Sequence, residues 1–400
     1  MSKSELLIPA GDLERLKIAI RFGADAVYCG GKKLSLRNRA GNLTLAEIQE
    51  GVLFANKHQA KIYVTVNMMP READLKEVVE YLKDLKRIGV AGIIVSSLYL
   101  VKLAHRYVPD LPLHISTQQN TLNHESIQYW KELGAQRIVL GRELSLAELE
   151  SLQPHSPLEL EVFIHGGMCS NYSGRCLLSN VLTDRDANRG GCAQCCRWNY
   201  YLSDSEKQIN DETSFFTMSS KDLETIRYLE KLLALGISSL KIEGRMKSGY
   251  YVACVSKAYR YLIDKYYEAG KITSNDLAKA YLIMGPVQNR ETFPGFLVTS
   301  KPEEMILRPK LRDTVAQDYI GEVMDYDPET KLASIRMRNH FELGEYLEMV
   351  TPNNDLFSFP VTYMLDENDR SLSIANLPMQ LLKIEVPKPV QAGDYARRRP

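Results

Sequence analysis

Five of the seven cysteines in this chain of 400 residues lie between positions 169 and 196. Their spacing is C-x6-C-x15-C-x2-C-C, formed by Cys169, Cys176, Cys192, Cys195 and Cys196. Thiolates bind iron or zinc when several of them converge. In a reducing compartment such a group is more typical of a metal site than of a disulfide framework. This segment is therefore the first candidate for chemistry.

Three interpretations of the cysteine segment stay open from the residues alone. An iron–sulfur cluster fits a glycine-rich strand end, because glycine lets the backbone turn tightly around a cofactor. A structural zinc site would also use four cysteines, and the gap between Cys192 and Cys195 is typical of one. The interval between Cys169 and Cys176 is too wide for a second zinc pair. Buried cysteines without a ligand are the third interpretation, and the pattern favours the cluster.

A Cys-His peptidase would need a nucleophile beside a base. His165 precedes Cys169 at the end of the same predicted strand, so the two side chains could meet. No Asn or Asp that would orient the histidine is evident, and five cysteines exceed what a nucleophile requires. Peptidase activity therefore remains an alternative.

Charged residues gather in the stretch KIEGR, residues 241–245. Arginine suits bidentate binding of a carboxylate or phosphate, although a salt-bridged strand end would look the same. Polar residues also follow other predicted strands, at the edge where parallel α/β folds place their chemistry. The candidate catalytic residues are His165, Glu243 and Arg245. The candidate substrate-binding residues are Arg37, Gln118, Arg142 and Lys241.

Composition narrows the class of protein only in part. Lysine plus arginine and aspartate plus glutamate both number 50, so the net charge is zero and no global positive field points to a nucleic acid. No apolar run is long enough to cross a membrane, and the charged first residues do not fit a signal peptide. We expect a cytoplasmic protein.

Short apolar runs alternate with amphipathic stretches up to about residue 270, which is typical of a parallel sheet covered by helices. Four of the helices end at a glycine that precedes the next strand, and glycine there ends a helix in the left-handed conformation. Eight strands predict a (β/α)8 TIM-like barrel. These strands are Glu5–Pro9, Ala26–Cys29, Lys61–Asn67, Gly92–Ser97, Pro112–Thr117, Arg137–Leu140, Glu159–His165 and Ser239–Glu243.

The chain divides into three predicted parts. Residues 1–270 form the barrel domain, with a Cys-rich insertion at about 166–220, and residues 271–312 form a helical and irregular connector. From 313 to 400 the apolar period changes to two, which predicts short strands and a small β-barrel. The final Arg397-Arg398-Arg399 is interpreted as a solvated tail.

The stretch EVFIHGGMCSNYSGRCLLS, residues 161–179, closely resembles the signature of the U32 peptidase family, roughly E-x-F-x-H-G-x-x-C-x-x-x-S-G-x-C-x-x-S. The segments LLIPAGDLERLKIAIRFGADAVYCGG, HISTQQNTLN, GRELSL and SLKIEGRMKS are also similar to that family. The likeness covers the whole predicted barrel. It implies a TIM-like barrel that carries an iron–sulfur cluster, followed in many members by a small β-barrel.

The resemblance also implies the ligands of that cluster. Carried over residue by residue, they are Cys169, Cys176, Cys192 and Cys196. Cys195 departs from the commoner pattern, because it puts a further thiol beside the expected fourth ligand. It could replace Cys196 or be a spectator.

Within the family, the length and the SLKIEGRMKS region resemble most the branch that hydroxylates the wobble uridine of tRNA to 5-hydroxyuridine. This implies a 4Fe–4S cluster, prephenate as hydroxyl source or co-substrate, and tRNA as substrate. Hydroxylation of another RNA or of an aromatic molecule, and collagenase-like peptidase activity, are the alternatives. A homo- or hetero-oligomer with a family paralogue is compatible with either.

A wobble base must be splayed out and stacked before an enzyme can reach it. Tyr172, Trp198 and Tyr200 are candidates for this stacking, although aromatic residues beside a strand more often belong to the core.

Overall fold

The computed structural model describes residues 3–36, 41–204, 207–209, 215–288, 290–299, 301–307, 318–353 and 355–399. The predicted substrate-binding residue Arg37 lies outside these ranges.

Eight parallel strands close into a barrel, as the sequence predicts. Strand β8 pairs with β1 on one side and with β7 on the other, so the sheet has no free edge between them. The register places Ser239 opposite both Glu5 and Glu161, in one layer of the barrel. The strands are β1 Glu5–Ala10, β2 Ala26–Gly30, β3 Lys61–Val66, β4 Gly92–Val95, β5 Leu113–Ile115, β6 Arg137–Val139, β7 Glu159–Gly166 and β8 Ser239–Ile242.

Helices surround the barrel and bury an apolar face against its outer surface. The four glycines predicted to end helices, at positions 23, 89, 134 and 236, all have positive φ between 70° and 102°, the region that glycine enters without a Cβ clash. The α-helices of six or more residues in the described ranges are α1 Leu13–Arg21, α2 Leu45–Lys57, α3 Val78–Ile88, α4 Leu98–Tyr107, α5 His124–Glu132, α6 Leu146–Leu152, α7 Leu178–Thr183, α8 Leu229–Ala234, α9 Gly249–Ala269 and α10 Ser274–Met284.

The chain between β7 and α8 leaves the barrel pattern and contains the cysteines. Its helix α7 and short 3-10 turns end in a short strand, Asp222–Glu224, which runs antiparallel to the end of β7. The strand Thr292–Phe293 from the connector then pairs with that strand. The sequence predicted neither pairing, since two or three residues give no periodicity to read. The two short strands extend the sheet beyond β7, beside the carboxyl end of the barrel.

The C-terminal part is a curled antiparallel sheet of seven strands around its own apolar core. Residues 357–365 form two strands of this sheet, with three residues outside any strand between them. The strands of the sheet are Tyr319–Asp327, Leu332–Met337, Tyr346–Val350, Phe357–Pro360, Met364–Leu365, Leu381–Glu385 and Tyr395–Arg398.

The interpretation of the terminal arginines as a solvated tail is wrong for Arg397 and Arg398, whereas Arg399 is exposed. Arg397 lies in the strand Tyr395–Arg398 and is fully buried. Its Nε donates to Glu348 Oε2 at 2.7 Å, and its other nitrogens donate to the carbonyls of Leu282 and Ile283 in α10. The charge is buried because it is paired and because it caps carbonyls at the end of a helix.

No helix in the described parts of the chain combines the length and hydropathy needed to cross a membrane.

Candidate active site

A cavity of about 840 Å³ lies at the carboxyl end of the barrel strands, between the barrel mouth and the cysteine insertion. Parallel barrels place their active sites at this end because the loops that follow all eight strands meet there. The cavity is lined by nearly all the residues chosen from the sequence. These are Gln118, Arg142, Cys169, Cys176, Cys192, Cys195, Cys196, Lys241, Glu243 and Arg245.

The cysteines of the insertion differ in their exposure. Cys169 is exposed, and Cys176, Cys192 and Cys196 are partly exposed. Cys195 is 1% exposed, and its Sγ lies 4.0 Å from Ser179 Oγ. Cys195 therefore borders the cavity but is more deeply buried than the other cysteines of the motif.

The electrostatic surroundings of Cys196 connect it to two other thiols. Burial raises the pKa of the Cys196 thiol, and a hydrogen bond with Ser170 and the charge of Arg197 act in the opposite direction. Negative charge on Cys169 or Cys192 raises this pKa further. Cys169 and Cys192 thus lie close enough to influence the Cys196 thiol, and all three line the same cavity.

The donor set of the insertion is a group of thiols. Cys169, Cys176, Cys192 and Cys196 are at least partly exposed and line one cavity. Cysteine thiolates are the ligands of iron–sulfur clusters, in which they bind different irons. These residues therefore fit a cluster in their chemistry. In the described ranges, no three His, Cys, Asp or Glu side chains are grouped as the ligands of one metal ion.

Hydrogen bonds fix the backbone of the insertion beside Cys176. Asn188 Oδ1 accepts from the Cys176 N–H at 3.3 Å, and Asn188 Nδ2 donates to the Cys176 carbonyl at 3.0 Å. The next residue, Arg189, donates to Asp74 Oδ2 and to the Met69 carbonyl, both at 2.6 Å. These contacts anchor the insertion to the loop that follows β3.

Paired charges fill the barrel below the cavity. Lys241 Nζ donates to Glu161 Oε1 at 2.7 Å, and Arg137 Nη1 donates to Glu5 Oε1 at 2.6 Å and to Glu161 Oε2 at 3.2 Å. Glu161 is completely buried. Burial opposes the charge on this carboxylate, yet Lys241 and Arg137 hold its pKa below the ordinary value. Lys241 therefore borders the cavity as one half of a buried ion pair.

Arg245 is held in place by hydroxyl groups. It is 3% exposed, and its Nη1 donates to Ser35 Oγ at 3.0 Å and to Thr65 Oγ1 at 2.9 Å. A side chain at Gly30 would collide with this guanidinium, so glycine is required at that point of β2. Arg245 thereby ties the loop after β2 to the cavity wall.

Arg142 has a looser ion pair. Its guanidinium lies 3.8 Å from the centre of the Phe163 ring and donates to the Gly167 carbonyl at 2.9 Å. The nearest carboxylate oxygen, Glu243 Oε2, is 4.0 Å from Arg142 Nη2, and it also accepts from the Tyr28 hydroxyl at 3.2 Å. A guanidinium with a distant partner retains donors for an added carboxylate.

Gln118 presents an oriented amide to the cavity. Its Oε1 accepts from Asn67 Nδ2 at 3.0 Å and from Ser116 Oγ at 3.1 Å. Because the oxygen is occupied by these two donors, the amide NH2 is the group left to bind an acceptor on a ligand.

The structure does not bring His165 into the cavity with the other candidates. The ring packs outside the barrel against Tyr251 and Tyr259 of α9, and the Tyr259 hydroxyl lies 3.3 Å from His165 Nδ1. Burial, aided by the charge of Lys247, lowers the pKa of His165 to about 3. The imidazole is therefore neutral at physiological pH and packs between strand and helix.

The buried charged residues below the cavity, Glu5, Arg137, Glu161 and Lys241, form the barrel floor. Sequence reasoning missed the first three of them. Glu5, Arg137 and Glu161 stand inside strands whose neighbouring residues are apolar and buried. A charged residue at an inward-facing strand position was the available signal, because such a charge needs a partner from another strand. The partner could be found only with the register known.

Comparison with known proteins gives two family matches. The model described as Peptidase family U32 matches residues 11–307, and that described as Peptidase family U32 C-terminal domain matches residues 316–397. Together they span the barrel apart from β1, the insertion, most of the connector and most of the C-terminal sheet.

Three relatives carry names that bear on function. The tRNA hydroxylation protein P1 of Bacillus subtilis is 40% identical, over 99% of this chain and 95% of its own length. An Escherichia coli 23S rRNA 5-hydroxycytidine synthase is 37% identical, over 69% of this chain and 41% of its own length. A collagenase of Porphyromonas gingivalis is 27% identical, over 87% of this chain and 86% of its own length.

Proposed function

The chain belongs to peptidase family U32, and from this premise we propose that it is an RNA-modifying enzyme that hydroxylates the wobble uridine of tRNA to 5-hydroxyuridine. The observation that carries the proposal is the cavity in which the cysteines of the insertion meet Arg142, Glu243 and Gln118 at the barrel mouth. The relative with the highest identity given above is named for tRNA hydroxylation and matches nearly the full length. A tRNA substrate would place the activity in the cytoplasm.

The proposed cofactor is a 4Fe–4S cluster held by Cys169, Cys176, Cys192 and Cys196. Such a cluster supplies electron transfer or, at an open iron, Lewis acidity. The choice of Cys196 over Cys195 is supported by the greater exposure of Cys196 and by the burial of Cys195 against Ser179.

The proposed co-substrate is prephenate, a dicarboxylate. Arg142 is its best-suited anchor, because the Glu243 carboxylate oxygen stands 4.0 Å away and the guanidinium packs over the Phe163 ring. Lys241 is committed to Glu161 and Arg245 to the loop hydroxyls, so we assign these two cations to shaping the cavity and its positive potential. Lys241 and Arg245 are therefore not proposed as anchors of the dicarboxylate.

The remaining polar groups suit a pyrimidine. The amide NH2 of Gln118 can donate to a uracil carbonyl oxygen. Glu243, whose carboxylate accepts from Tyr28 and stands near Arg142, is a group in the wall that can accept a proton from the substrate. His165 is neutral and outside the cavity, and we assign it to supporting the end of β7.

The experiment is a deletion strain complemented with wild type, Cys196→Ser or Cys195→Ser, followed by mass spectrometry of tRNA nucleosides. We expect wild type and Cys195→Ser to restore hydroxyuridine and Cys196→Ser to fail. The same proteins, purified without oxygen, should contain iron and sulfide except for Cys196→Ser. Retained iron in Cys196→Ser with loss in Cys195→Ser would reverse the ligand assignment.

Normal hydroxyuridine in the deletion strain would overturn the proposed function. The collagenase relative makes gelatin cleavage the assay to run in that case. Cleavage that depends on Cys169 would then assign a peptidase.

A further inference from the structure

We propose that the ring of Tyr172 is the platform on which the substrate uracil stacks at the entrance of the cavity. The proposal rests on the proposed function, since it names the group that would hold the splayed base of an RNA loop. Tyr172 lines the cavity beside the cysteines and is 57% exposed. More than half of its surface is accessible, so the residue has area available for a stacked base.

A clamp below the ring holds Tyr172 in this position. Ser173, the next residue, has φ of 44°, in the left-handed region that a serine rarely adopts. Glu143 offsets the cost, because its Oε1 accepts from the Ser173 N–H at 2.6 Å and its Oε2 accepts from the Ser173 hydroxyl at 2.8 Å. The clamp turns the backbone sharply after Tyr172 and leaves its side chain at the cavity surface.

The clamp is itself tied to the barrel mouth. Glu143 follows Arg142 after β6, and Arg175 Nε donates to the Gln118 carbonyl at 2.9 Å. The turn that bears Tyr172 is therefore bonded on both sides to segments that supply proposed substrate contacts. A strained backbone held by local bonds at a cavity is a common device for presenting a functional side chain.

The other two aromatic candidates are placed differently. Tyr200 donates its hydroxyl to the Cys195 carbonyl at 2.7 Å and packs against Phe216, so its ring serves the insertion. Trp198 is 45% exposed but is not among the residues that line the cavity. Of the three, Tyr172 alone combines exposure with a place on the cavity wall.

An RNA loop is the ligand that this arrangement favours. Proteins recognise single-stranded RNA by splaying bases and stacking them on aromatic rings. With one face on Tyr172, a uracil would bring its polar edge toward the interior wall, where Gln118 and Asn67 line the cavity. The exposed side chain of Arg175 adds a positive charge beside the ring for the phosphate backbone.

The test compares Tyr172→Ala with Tyr172→Phe in the cluster-loaded protein. The readout is the dissociation constant for a fluorescent anticodon stem–loop, measured by anisotropy without oxygen. Loss of one stacked base weakens binding roughly 5- to 150-fold, and we expect this for alanine. Phenylalanine keeps the ring face, so its constant should stay within about 3-fold of wild type. Tyr129→Ala, which removes a tyrosine of 47% exposure on α5, is the matched control and should bind as wild type.

Each other outcome counts against the proposal. Wild-type binding by Tyr172→Ala with full iron content would show that the ring does not hold the RNA. Loss of iron in Tyr172→Ala would show that the ring supports the cysteine site instead. Failure of the proposed function would be recognised from the wild-type protein and not from the Tyr172 variants. The wild-type protein would then leave tRNA unmodified, or would bind denatured collagen in place of RNA.

Discussion

The floor of the barrel and its mouth both contain charged residues, but they use them differently. On the floor, Glu5, Arg137, Glu161 and Lys241 are nearly or completely buried, and their charged atoms pair at 2.6–3.2 Å. At the mouth, Arg142 stands 4.0 Å from its carboxylate partner and borders a cavity of about 840 Å³. Charges that satisfy one another hold a fold together, whereas charges with spare donors can bind a ligand.

The arginines of the C-terminal sheet and of the insertion extend this comparison. Arg397 is fully enclosed between Glu348 and the end of α10, which makes it a structural residue although it lies near the chain terminus. Arg197 lies 4.0 Å from Asp222 and directly follows a cysteine of the candidate site. The distance to the charged partner, and not the position in the chain, therefore distinguishes the tightly paired Arg397 from the loosely paired Arg197.

The largest effect is expected on the floor. Glu161→Gln leaves Lys241 and Arg137 without full compensation in a dry interior, and breaking a buried pair in this way costs about 3–5 kcal/mol. Denaturant unfolding measures it. Glu150→Gln, on the exposed face of α6, is the control and should change stability by less than about 0.5 kcal/mol. If Glu161→Gln were as stable as wild type, the charges of the floor would stabilise the fold no more than those of the mouth, and the comparison would fail.

An intermediate effect should follow from acid pH. Burial lowers the pKa of His114, inside the barrel, and of His165, outside it, from 6.5 to about 3. The unfolded chain therefore takes up protons below pH 6.5 that the folded chain refuses, so stability is complete above that pH and falls toward pH 3. Each histidine contributes a slope of about 1.4 kcal/mol per pH unit.

Unfolding measured between pH 6 and 5 tests this with His165→Gln, which should lower the slope by that amount. His58→Gln is a suitable control, because His58 is an exposed residue at the end of α2. An unchanged slope in His165→Gln would mean that the ring is protonated in the folded state.

The smallest effect on stability is expected at the mouth. Arg142→Met should cost only about 1–2 kcal/mol, because it removes one hydrogen bond and a ring contact but no tight ion pair. If Arg142 anchors the dicarboxylate, the same variant should raise the KM for prephenate by at least about 10-fold. Lys241→Met should instead cause a large loss of stability, because it breaks the buried ion pair with Glu161, and it should change the KM for prephenate less than Arg142→Met does. Equal losses of stability in both would contradict the comparison.

Much of the barrel could be predicted from the sequence. All eight strands lie where the apolar runs predict them, within one or two residues at most ends, and the helix-ending glycines have the expected positive φ. These features depend on local chemistry: the alternation of apolar runs, and the absence of a Cβ in glycine. The cysteine segment was equally visible, because its residue types and spacing are unusual.

The pairings could not be predicted in this way. From the sequence, Lys241 and Arg245 could be either substrate-binding residues or members of a salt-bridged strand end. Only the register of β8 against β7 and the position of the loop after β2 showed what they contact. Residues 222–224 and 292–293 form strands only because they meet each other beside β7.

The sequence by itself determined the alternation that forms the barrel and the set of thiols at its carboxyl end, since both depend on the order of residue types along the chain. The tertiary structure alone decided that His165 faces α9, that Arg397 is buried and that Tyr172 stands at the cavity wall. Those outcomes depend on which residues distant in sequence become neighbours. Burial and pairing are properties of that arrangement, and they separate the charges that stabilise the fold from those left to bind a substrate.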